Sequence, residues 1–321
     1  MRSLFVLVTL ACMVVTTSAH AQNDTRPSIL LQLEDGAAAP DQAGTEKMAW
    51  TPYAAFSNQF RTDFEGGTGG ELSVARILTG IEGTIPVFRG AIVEVHAAAE
   101  WSRYDFKNLA VGGSPNRTDD MTGTFLGARY RMFFNEHWYA AVGAAFTMAA
   151  QTDAKFSDGL TYGFQAGGGY RFDDKLILGL GFSTATELES DQSFFLFPIV
   201  KWKITDQWLF SAEPLGLRGV EFELSYDIND DWRLQSNLTL IQRTYRLDDT
   251  GIAAGGALRD TFVPLMVGAI WSPEGTGIEL IGQVGVQVYQ EIRVRNSNSA
   301  TIMESETDPA PMASLELRWT F

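Results

Sequence analysis

Hydrophobic and polar residues alternate with a period of two over much of this chain. From Val220 to Ile228 every even position is apolar and every odd position is polar, and residues 232–240 and 278–288 repeat the scheme. Successive side chains of a strand point to opposite faces, so the pattern predicts strands with one apolar and one polar face. Because a soluble β-sandwich alternates in the same way, the connections between strands must distinguish the two architectures.

The alternation predicts fourteen strands. Their approximate bounds are 49–61, 70–79, 90–106, 120–133, 137–150, 159–172, 175–187, 194–204, 207–214, 219–228, 231–246, 259–272, 276–292 and 312–321. An even number is what a closed up-and-down barrel with both termini on one side requires. Segments 70–79 and 207–214 carry the weakest pattern, so twelve strands is the alternative count.

The predicted connections differ in length on the two sides of the sheet. Tight turns of Asn, Asp, Thr and Glu occupy 135–136, 173–174, 205–206 and 229–230, whereas 107–119, 247–258 and 293–311 are long. Short turns on one side and long loops on the other are typical of outer-membrane barrels. Two connections depart from this rule: 80–89 is long for its side, and 215–218 is short for the loop side.

Aromatic residues supply an independent indication of a membrane. Seven tryptophans fall at one predicted rim, namely Trp50, Trp138, Trp202, Trp208, Trp232, Trp271 and Trp319. Trp101 falls nearer the other rim, together with Tyr104, Tyr162, Tyr245 and Tyr289. Amphipathic rings are most stable at the headgroup level, so we predict two girdles around a transmembrane all-β barrel in the bacterial outer membrane.

The last strand has a distinctive ending. Leu315, Leu317, Trp319 and the terminal Phe321 form one apolar face. A strand that ends the chain in an aromatic residue resembles the signal by which such barrels reach the outer-membrane assembly machinery. We therefore predict two partners for this strand, that machinery and the lipid bilayer.

The N-terminal region differs from the rest in composition. A cationic start, an apolar run over 4–15 and the motif Ala19-His20-Ala21 predict a cleaved signal peptide over 1–21. Residues 22–47 lack alternation and are expected to be a flexible periplasmic segment, and 48–321 are expected to form the barrel. Cys12 is the only cysteine and lies in the signal peptide, which excludes disulfides and thiolate sites from the processed chain.

Several turn and strand-end motifs resemble one family. They are YRFDDKL at 170–176, PLGLRG at 214–219, LSY at 224–226 and YRLDD at 245–249. They resemble the outer-membrane barrels grouped as domain of unknown function 6268. The resemblance covers most of the chain after about residue 48 and implies a barrel in a membrane without implying any catalytic residue.

Charged residues on the polar faces are expected to point inward, because a charge on the lipid face costs about 2–4 kcal/mol at the bilayer midplane. The candidates for lining the lumen are Glu94, His96, Glu100, Lys201, Lys203, Glu221, Glu223, Asp227, Arg233, Arg243, Glu279 and Arg318. The whole chain carries 39 acidic against 24 basic residues, a formal charge of −15. This balance excludes a nucleic-acid partner and favours cations in a water-filled lumen.

No motif indicates a catalytic, cofactor or metal site, and we expect no enzymatic activity. After removal of the signal peptide only His96 and His137 remain, which is too few for a histidine metal site without scattered carboxylates. His96 could act as a base for Ser102, but a lumen-lining role is favoured.

Three functions remain open. The first is a narrow, weakly cation-preferring pore for small solutes or ions, since fourteen strands lie between filled eight-stranded and open sixteen-stranded barrels. The second is a closed structural or surface-display barrel with partner-binding loops. The third is a lipid-modifying enzyme.

Overall fold

The structure is a computed structural model that describes residues 48–65, 69–88, 90–108, 116–250 and 253–321. The predicted signal peptide and the 22–47 segment lie outside the described residues. None of the helices in the described ranges is long and apolar enough to cross a membrane.

One sheet contains all fifteen strands of the described chain. They are β1 (Ala49–Asp63), β2 (Glu71–Phe88), β3 (Ala91–Lys107), β4 (Asn116–Phe133), β5 (Trp138–Gln151), β6 (Leu160–Arg171), β7 (Leu176–Glu187), β8 (Ser190–Lys203), β9 (Trp208–Pro214), β10 (Gly219–Asp227), β11 (Trp232–Arg246), β12 (Ala257–Trp271), β13 (Ile278–Arg295), β14 (Thr301–Glu306) and β15 (Ala310–Trp319). A single 3-10 turn, Phe156–Gly159, precedes β6.

The sheet closes on itself. From β1 to β14 each strand pairs antiparallel with its neighbour in the chain, and β15 pairs with β13 on one side and β1 on the other. At this closure Trp50 and Phe321 exchange two backbone hydrogen bonds of 3.1 and 3.0 Å. Because β14 and β15 pair with successive parts of β13, they share one position, and the fifteen described strands form a barrel of fourteen positions. The expected all-β up-and-down barrel is confirmed, with both ends of the described chain at the short-turn side.

Two predicted connections are instead strand. β2 continues to Phe88, so the expected connection over 80–89 was wrong. Gly80 and Gly83 interrupted the apolar pattern, and each makes room for a ring. A Cβ at Gly80 would lie 2.5 Å from Tyr53 Oη, and one at Gly83 would lie 2.4 Å from the Trp50 ring. Likewise, β13 reaches Arg295 and β14 occupies part of the expected loop over 293–311.

The barrel is pinched toward its outer end, the end opposite the short turns. There Arg246 of β11 forms a parallel bridge with Ala150 of β5. The bridge brings together two strands that are separated by β6 to β10 in the sheet order. The outer end therefore has two lobes, one enclosed by β1–β5 and β11–β14, the other lying between β6–β8 and β11.

Apolar side chains fill the first lobe at its outer end. We call this set the outer-end cluster: Phe64, Leu72, Val74, Tyr104, Phe106, Met121, Ala149, Tyr245, Leu247, Leu258, Ile292 and Met303. All are buried. Tyr104 and Tyr245 face inward here, so their predicted place in an outer aromatic girdle was wrong. Their rings meet edge to face at 6.0 Å, inside the barrel.

The short connection between β9 and β10, residues 215–218, enters the barrel, and we call it the constriction loop. Gly216 has φ +61°, which permits the sharp turn. The carbonyl of Leu217 accepts a hydrogen bond from Ser183 Oγ on β7 at 2.7 Å. The Arg218 guanidinium donates to the carbonyl of Thr186. This connection was shorter than expected for the loop side because it lies inside the barrel and does not extend outward.

Candidate functional site

The interior of the inner half, near the short turns, is polar and cross-linked by ion pairs. Glu94 of β3 contacts two arginines of β4, Arg129 Nε at 2.5 Å and Arg131 Nη2 at 2.8 Å. Asp227 pairs with Arg233 at 2.6 Å across β10 and β11. These charges point inward from adjacent strands, as alternation requires.

The other predicted lumen residues of this half also lie on inward positions. Arg318 Nε contacts Glu316 at 2.5 Å and stands opposite Glu279, which is buried. Glu221 Oε2 accepts a hydrogen bond from Thr239 at 3.1 Å, and Glu223 stands opposite Asn237.

Lys201 and Lys203 project from the inner end of β8. Lys201 is buried, whereas Lys203 Nζ lies 3.7 Å from the exposed Asp206. That these residues line a water-filled lumen stays a prediction.

A second network crosses the barrel in its outer half. Asp260 of β12 is fully buried and accepts hydrogen bonds from Arg76 at 2.6 Å, Tyr104 at 2.7 Å and Gln290 at 2.8 Å. Gln290 in turn accepts one from Gln59 at 2.5 Å. Five strands are thereby tied together directly beneath the outer-end cluster. The first lobe is consequently closed to solutes at this level.

Glu100 belongs to this closed region. It accepts hydrogen bonds from Ser102 at 2.8 Å, Arg243 at 2.8 Å and Tyr245 at 2.5 Å. Because Glu100 lies on β3 whereas Arg243 and Tyr245 lie on β11, the predicted lumen residues Glu100 and Arg243 form a bridge across the interior.

His96 does not contact Ser102 in the way the enzyme hypothesis requires. The hydrogen-bond partner of its Nε2 is the Tyr53 hydroxyl at 2.5 Å, and its ring packs 5.0 Å from the Phe125 ring. The Ser102 hydroxyl donates its hydrogen bond to Glu100. Among the residues that the structure describes, no cluster of three or more His, Cys, Asp and Glu side chains could hold a metal ion.

Two cavities flank the constriction loop. The inner cavity has a volume of about 110 Å³ and is lined by Glu82, Glu94, His96, Arg129 and Gln165. The outer cavity has a volume of about 190 Å³ and is lined by Glu100, Thr161, Arg218, Arg243 and Tyr245. Phe125, Gly216 and Leu217 line both cavities. The loop and the Phe125 ring therefore form the barrier between them.

The second lobe is closed at its outer end by a set of polar contacts that we call the latch. At the β7–β8 hairpin Glu189 Oε1 contacts Arg246 Nη1 at 2.5 Å, and Glu187 forms an ion pair with Arg259. The Glu189 carbonyl also accepts a hydrogen bond from Arg295 at 3.0 Å. Charged groups from β11, β12 and β13 thus hold the hairpin over the outer cavity.

Several interior residues were not predicted from the sequence. Arg129 and Arg131 sit on the inward face of β4, and their alternation with Tyr130 was a signal that could have identified them. Arg76 and Asp260 were harder to predict from the sequence, because Arg76 follows the inward apolar residues Leu72 and Val74. Inward positions near the outer end are mostly apolar, so the rule that polar side chains face inward fails there.

The outward face is apolar along the wall. Phe194, Leu180 and Leu126 are 65%, 62% and 60% exposed. Six of the predicted girdle tryptophans, Trp138, Trp202, Trp208, Trp232, Trp271 and Trp319, are also exposed, and all six lie at strand ends beside the short turns. Trp50 is half-buried over Gly83. The girdle itself stays a prediction.

The terminal strand presents its apolar residues on the same outward face. Leu315, Leu317 and Trp319 are exposed, and the Phe321 ring lies 5.3 Å from that of Trp319. Their service as an assembly signal stays a prediction.

Comparisons with known proteins give a structural likeness only. No family model matches the sequence, and no curated protein matches it. The fold is similar to the COG4313 outer membrane channel from Pseudomonas putida F1, at 10% identity and TM-score 0.49, covering 86% of this chain and 97% of that one. It is also similar to the Pseudomonas putida toluene transporter TodX, at 6% identity and TM-score 0.42, covering 87% and 90%. The KdgM porin gives 9% identity and TM-score 0.34, covering 84% and 99%.

The location follows from the architecture. A closed antiparallel barrel pairs its strands with one another around the wall, so that most backbone hydrogen bonds are made internally, and its outward side chains are apolar. Both properties are required of a β-protein that spans a bilayer, and the short turns and longer connections lie on opposite sides. The protein is a bacterial outer-membrane β-barrel.

Proposed function

We propose that this protein is a narrow, gated outer-membrane pore for small solutes or ions. The observation that carries the proposal is the pair of cavities separated only by the constriction loop and Phe125. A barrel built only as a scaffold has no need of an interior loop beside two unfilled spaces. The inner cavity and the outer cavity meet at the constriction loop, and the outer cavity continues to Arg218 and Gln242, which bond to the β7–β8 hairpin of the latch. This is the proposed path.

The constriction loop is the proposed barrier of that path. Its polar contacts with the wall include Ser183 Oγ with the Leu217 carbonyl, Arg218 with the Thr186 carbonyl, and the Gln242 amide with the Arg218 carbonyl. A neutral hydrogen bond contributes about 0.5–1.5 kcal/mol net and one with a charged group about 1.5–3 kcal/mol, so thermal motion can release the loop on occasion. The pore is therefore expected to open intermittently.

A weak preference for cations is part of the proposal. Glu82, Glu213, Glu221, Glu223 and Glu279 lie on inward positions of the inner half. Arg129 and Arg131 partly offset them, so the preference is expected to be weak. Replacing Glu221 and Glu223 by Gln should shift the reversal potential in a salt gradient toward anion permeation, whereas replacing the exposed Asp206 by Asn should leave it unchanged.

Planar-bilayer recording of the refolded protein tests the pore itself. We expect small, intermittent conductance steps in the parent and larger or longer ones in Leu217→Ala, which shortens the barrier. Leu126→Ala is the matched control, because it removes a leucine of equal size from the lipid face. Absence of steps in both the parent and Leu217→Ala, with the protein folded, would refute the pore.

A closed structural or surface-display barrel is the second candidate. The outer-end cluster and the buried Arg76–Asp260 pair support it, because they fill the first lobe among the residues that the structure describes. Protease cleavage in residues 107–119 or 247–258 on whole cells, combined with impermeable liposomes, would favour this function. Membership in the family of domain of unknown function 6268 and delivery by the assembly machinery remain proposals that rest on the turn motifs and the terminal strand.

A further inference from the structure

The wall of the barrel has one weakly connected position, between β8 and β9. Only four residue pairs join these strands, from Val200–Ala212 to Lys203–Leu209. On its other side β8 has eleven pairs with β7, reaching Ser190. Above Val200, therefore, the described part of β8 pairs on one side only, because β9 ends at Pro214 and the connection to β10 turns into the barrel.

Prolines stand where the pairing stops. Pro198 lies two residues beyond the last paired residue of β8, and Pro214 ends β9. A proline has no N–H to donate, so it is tolerated at a strand edge and is disfavoured between two paired strands. The sequence thus supports an unpaired edge at this place.

Beyond Val200 no backbone hydrogen bonds join β8 to β9 in the described chain, and we call this part of the wall the gap. Apolar side chains fill it. We call this set the seam cluster: Tyr139, Ile177, Phe197, Ile199 and Val220 are its buried members, and Phe133, Phe195, Phe222 and Leu240 pack against them. Phe197 and Ile199 lie on the inward face of β8, and Val220 lies on the hairpin that has turned inside. The hairpin covers the gap from within the barrel.

Glycines on the neighbouring strands make this packing possible. A Cβ at Gly181 would lie 2.2 Å from the Phe197 ring, and one at Gly167 would lie 3.1 Å from Ile199 Cδ1. Larger residues at these positions would push the rings of β8 away from the hairpin. The seam cluster therefore depends on close packing of the β8 side chains against the β9–β10 hairpin.

The gap lies at the level of the hydrocarbon. The outward neighbours of the seam on β8 are Phe194 and Leu196, both strongly exposed, and Leu224 and Leu238 are exposed on β10 and β11. On the inner side, Pro214 lines the inner cavity, and a smaller cavity reaches from Gln165 to Phe197 and Ile199. Apolar side chains of the seam cluster lie beside these interior spaces, together with Glu213, which also lines the smaller cavity.

β11, the strand that faces the gap, changes from apolar to polar outward residues along its length. Even positions of β11 point outward and, apart from Ser236, are apolar from Trp232 to Leu240, but Gln242, Thr244 and Arg246 are polar. These polar residues do not contact lipid, because Thr244 is buried while Gln242 and Arg246 bond to the β7–β8 hairpin. Polar contacts thus frame the gap at its outer end, and the four pairs of β8 and β9 frame it at its inner end.

We propose that this seam is a lateral gate through which small apolar or amphipathic solutes pass between the interior cavities and the bilayer. Separating the seam cluster breaks no strand pairing, and its side chains would move into hydrocarbon that is as apolar as the protein interior. Within the described ranges the outer end offers no comparable exit, because the outer-end cluster and the latch fill both lobes there. This inference rests on the proposed transport function and specifies its route and substrate class.

Locking the seam tests the route. The only cysteine in the sequence is Cys12, so Phe197→Cys/Val220→Cys places two thiols in the seam cluster for cross-linking by a short bismaleimide. Ser57→Cys/Ser314→Cys is the matched control, because these residues stand opposite each other in the fully paired seam of β1 and β15.

Uptake of the apolar dye N-phenyl-1-naphthylamine by whole cells is the readout. We expect cross-linking of the 197/220 pair to reduce uptake to that of cells lacking the protein, while the 57/314 pair retains parental uptake. Equal uptake by the parent and by the fully cross-linked 197/220 variant would overturn the lateral gate.

Ion conductance separates this inference from the pore proposal. Steps that persist in the cross-linked 197/220 protein, together with lost dye uptake, support both proposals. Steps with unchanged dye uptake refute the lateral gate alone, and dye uptake that depends on the seam without any steps refutes the ion pore alone.

A second measurement does not depend on transport. A nitroxide attached at Phe195→Cys, on the inward face of β8 beside the seam cluster, should collide more often with oxygen than with a water-soluble nickel complex, because the seam gives this position access from lipid. The control label at Ala98→Cys, on an inward position of β3 that lines the outer cavity, should show the opposite order. If both labels favoured the nickel complex equally, the seam would be sealed from lipid and the inference would be wrong.

Discussion

The Leu217 side chain occupies the space that a side chain at Gly163 would need: a Cβ on Gly163 would lie 2.6 Å from Leu217 Cδ1. Gly163 lies on β6 and Leu217 in the constriction loop, so the absence of a side chain on the wall is what admits the loop. The barrier inside the barrel thus depends on residues from two separate hairpins.

Gly163→Ala should displace the constriction loop. We expect larger conductance steps and a loss of about 1–3 kcal/mol in the free energy of unfolding, as for other overpacked sites. Leu217→Ala in the same chain should restore part of the stability, although the Thr184 carbonyl would remain only 2.5 Å from the new methyl group. Gly282→Ala is the control, because nothing lies within 4 Å of its Cβ position. Identical conductance in Gly163→Ala and Gly282→Ala would contradict the role of this contact.

Leu126→Arg should destabilise the barrel in lipid. Leu126 is 60% exposed in the middle of β4, and an arginine near the bilayer midplane costs about 2–4 kcal/mol. Phe134→Arg, equally exposed but at the short turn, should cost only about 0–1 kcal/mol. Reversible urea unfolding from liposomes measures both, and equal losses would show that Leu126 does not face hydrocarbon.

Asp260→Asn should strongly destabilise the protein, because it leaves Arg76 buried without its carboxylate. We expect a loss of about 3–5 kcal/mol in the free energy of unfolding. Asp120→Asn breaks the exposed pair with Arg103 and should cost about 0–1 kcal/mol. The double variant Arg76→Met/Asp260→Leu is expected to be more stable than Asp260→Asn. An Asp260→Asn protein as stable as Asp120→Asn would disprove the importance of the buried pair.

Glu187→Gln/Glu189→Gln should open the latch. Both carboxylates contact arginines of the facing strands, and their loss should expose the outer cavity to the medium. The measurement is the labelling of Thr161→Cys, in the outer cavity, by a membrane-impermeant maleimide on whole cells. Labelling should be faster than in Lys155→Gln, which breaks an exposed loop pair with Asp158. An unchanged labelling rate would show that these two carboxylates do not close the outer cavity.

Deletion of Phe321 should reduce assembly in cells more than refolding in detergent. The residue closes the barrel through its backbone bonds with Trp50 and is also part of the predicted assembly signal. Replacement by Ala retains the backbone bonds and removes only the ring. If Phe321→Ala assembles normally while the deletion fails, the residue acts through backbone closure, and its ring is not part of an assembly signal.

Much of the wall could be predicted from local chemistry. Alternation in β10 and β11 identified which side chains face outward, and the turns at 135–136, 173–174, 205–206 and 229–230 fall where they were expected, because turn residues and the period of two act over a few positions. The count of fourteen positions followed from the same signals. β2 was predicted too short because Gly80 and Gly83 interrupt its apolar pattern. These glycines make room for the Tyr53 and Trp50 rings of β1, which the sequence of β2 alone does not show.

The sequence by itself indicated the class of protein: alternating strands, short turns on one side and tryptophans near the strand ends are local properties that together predict a barrel in a membrane. Only the tertiary structure decided what the interior does. The pinch at Arg246 and Ala150, the inward path of the constriction loop and the four-pair seam arise from contacts between residues distant in the chain. An inward side chain has the same alternation whether it meets water, another charge or a cluster of rings, so the pattern cannot distinguish an open lumen from a divided one.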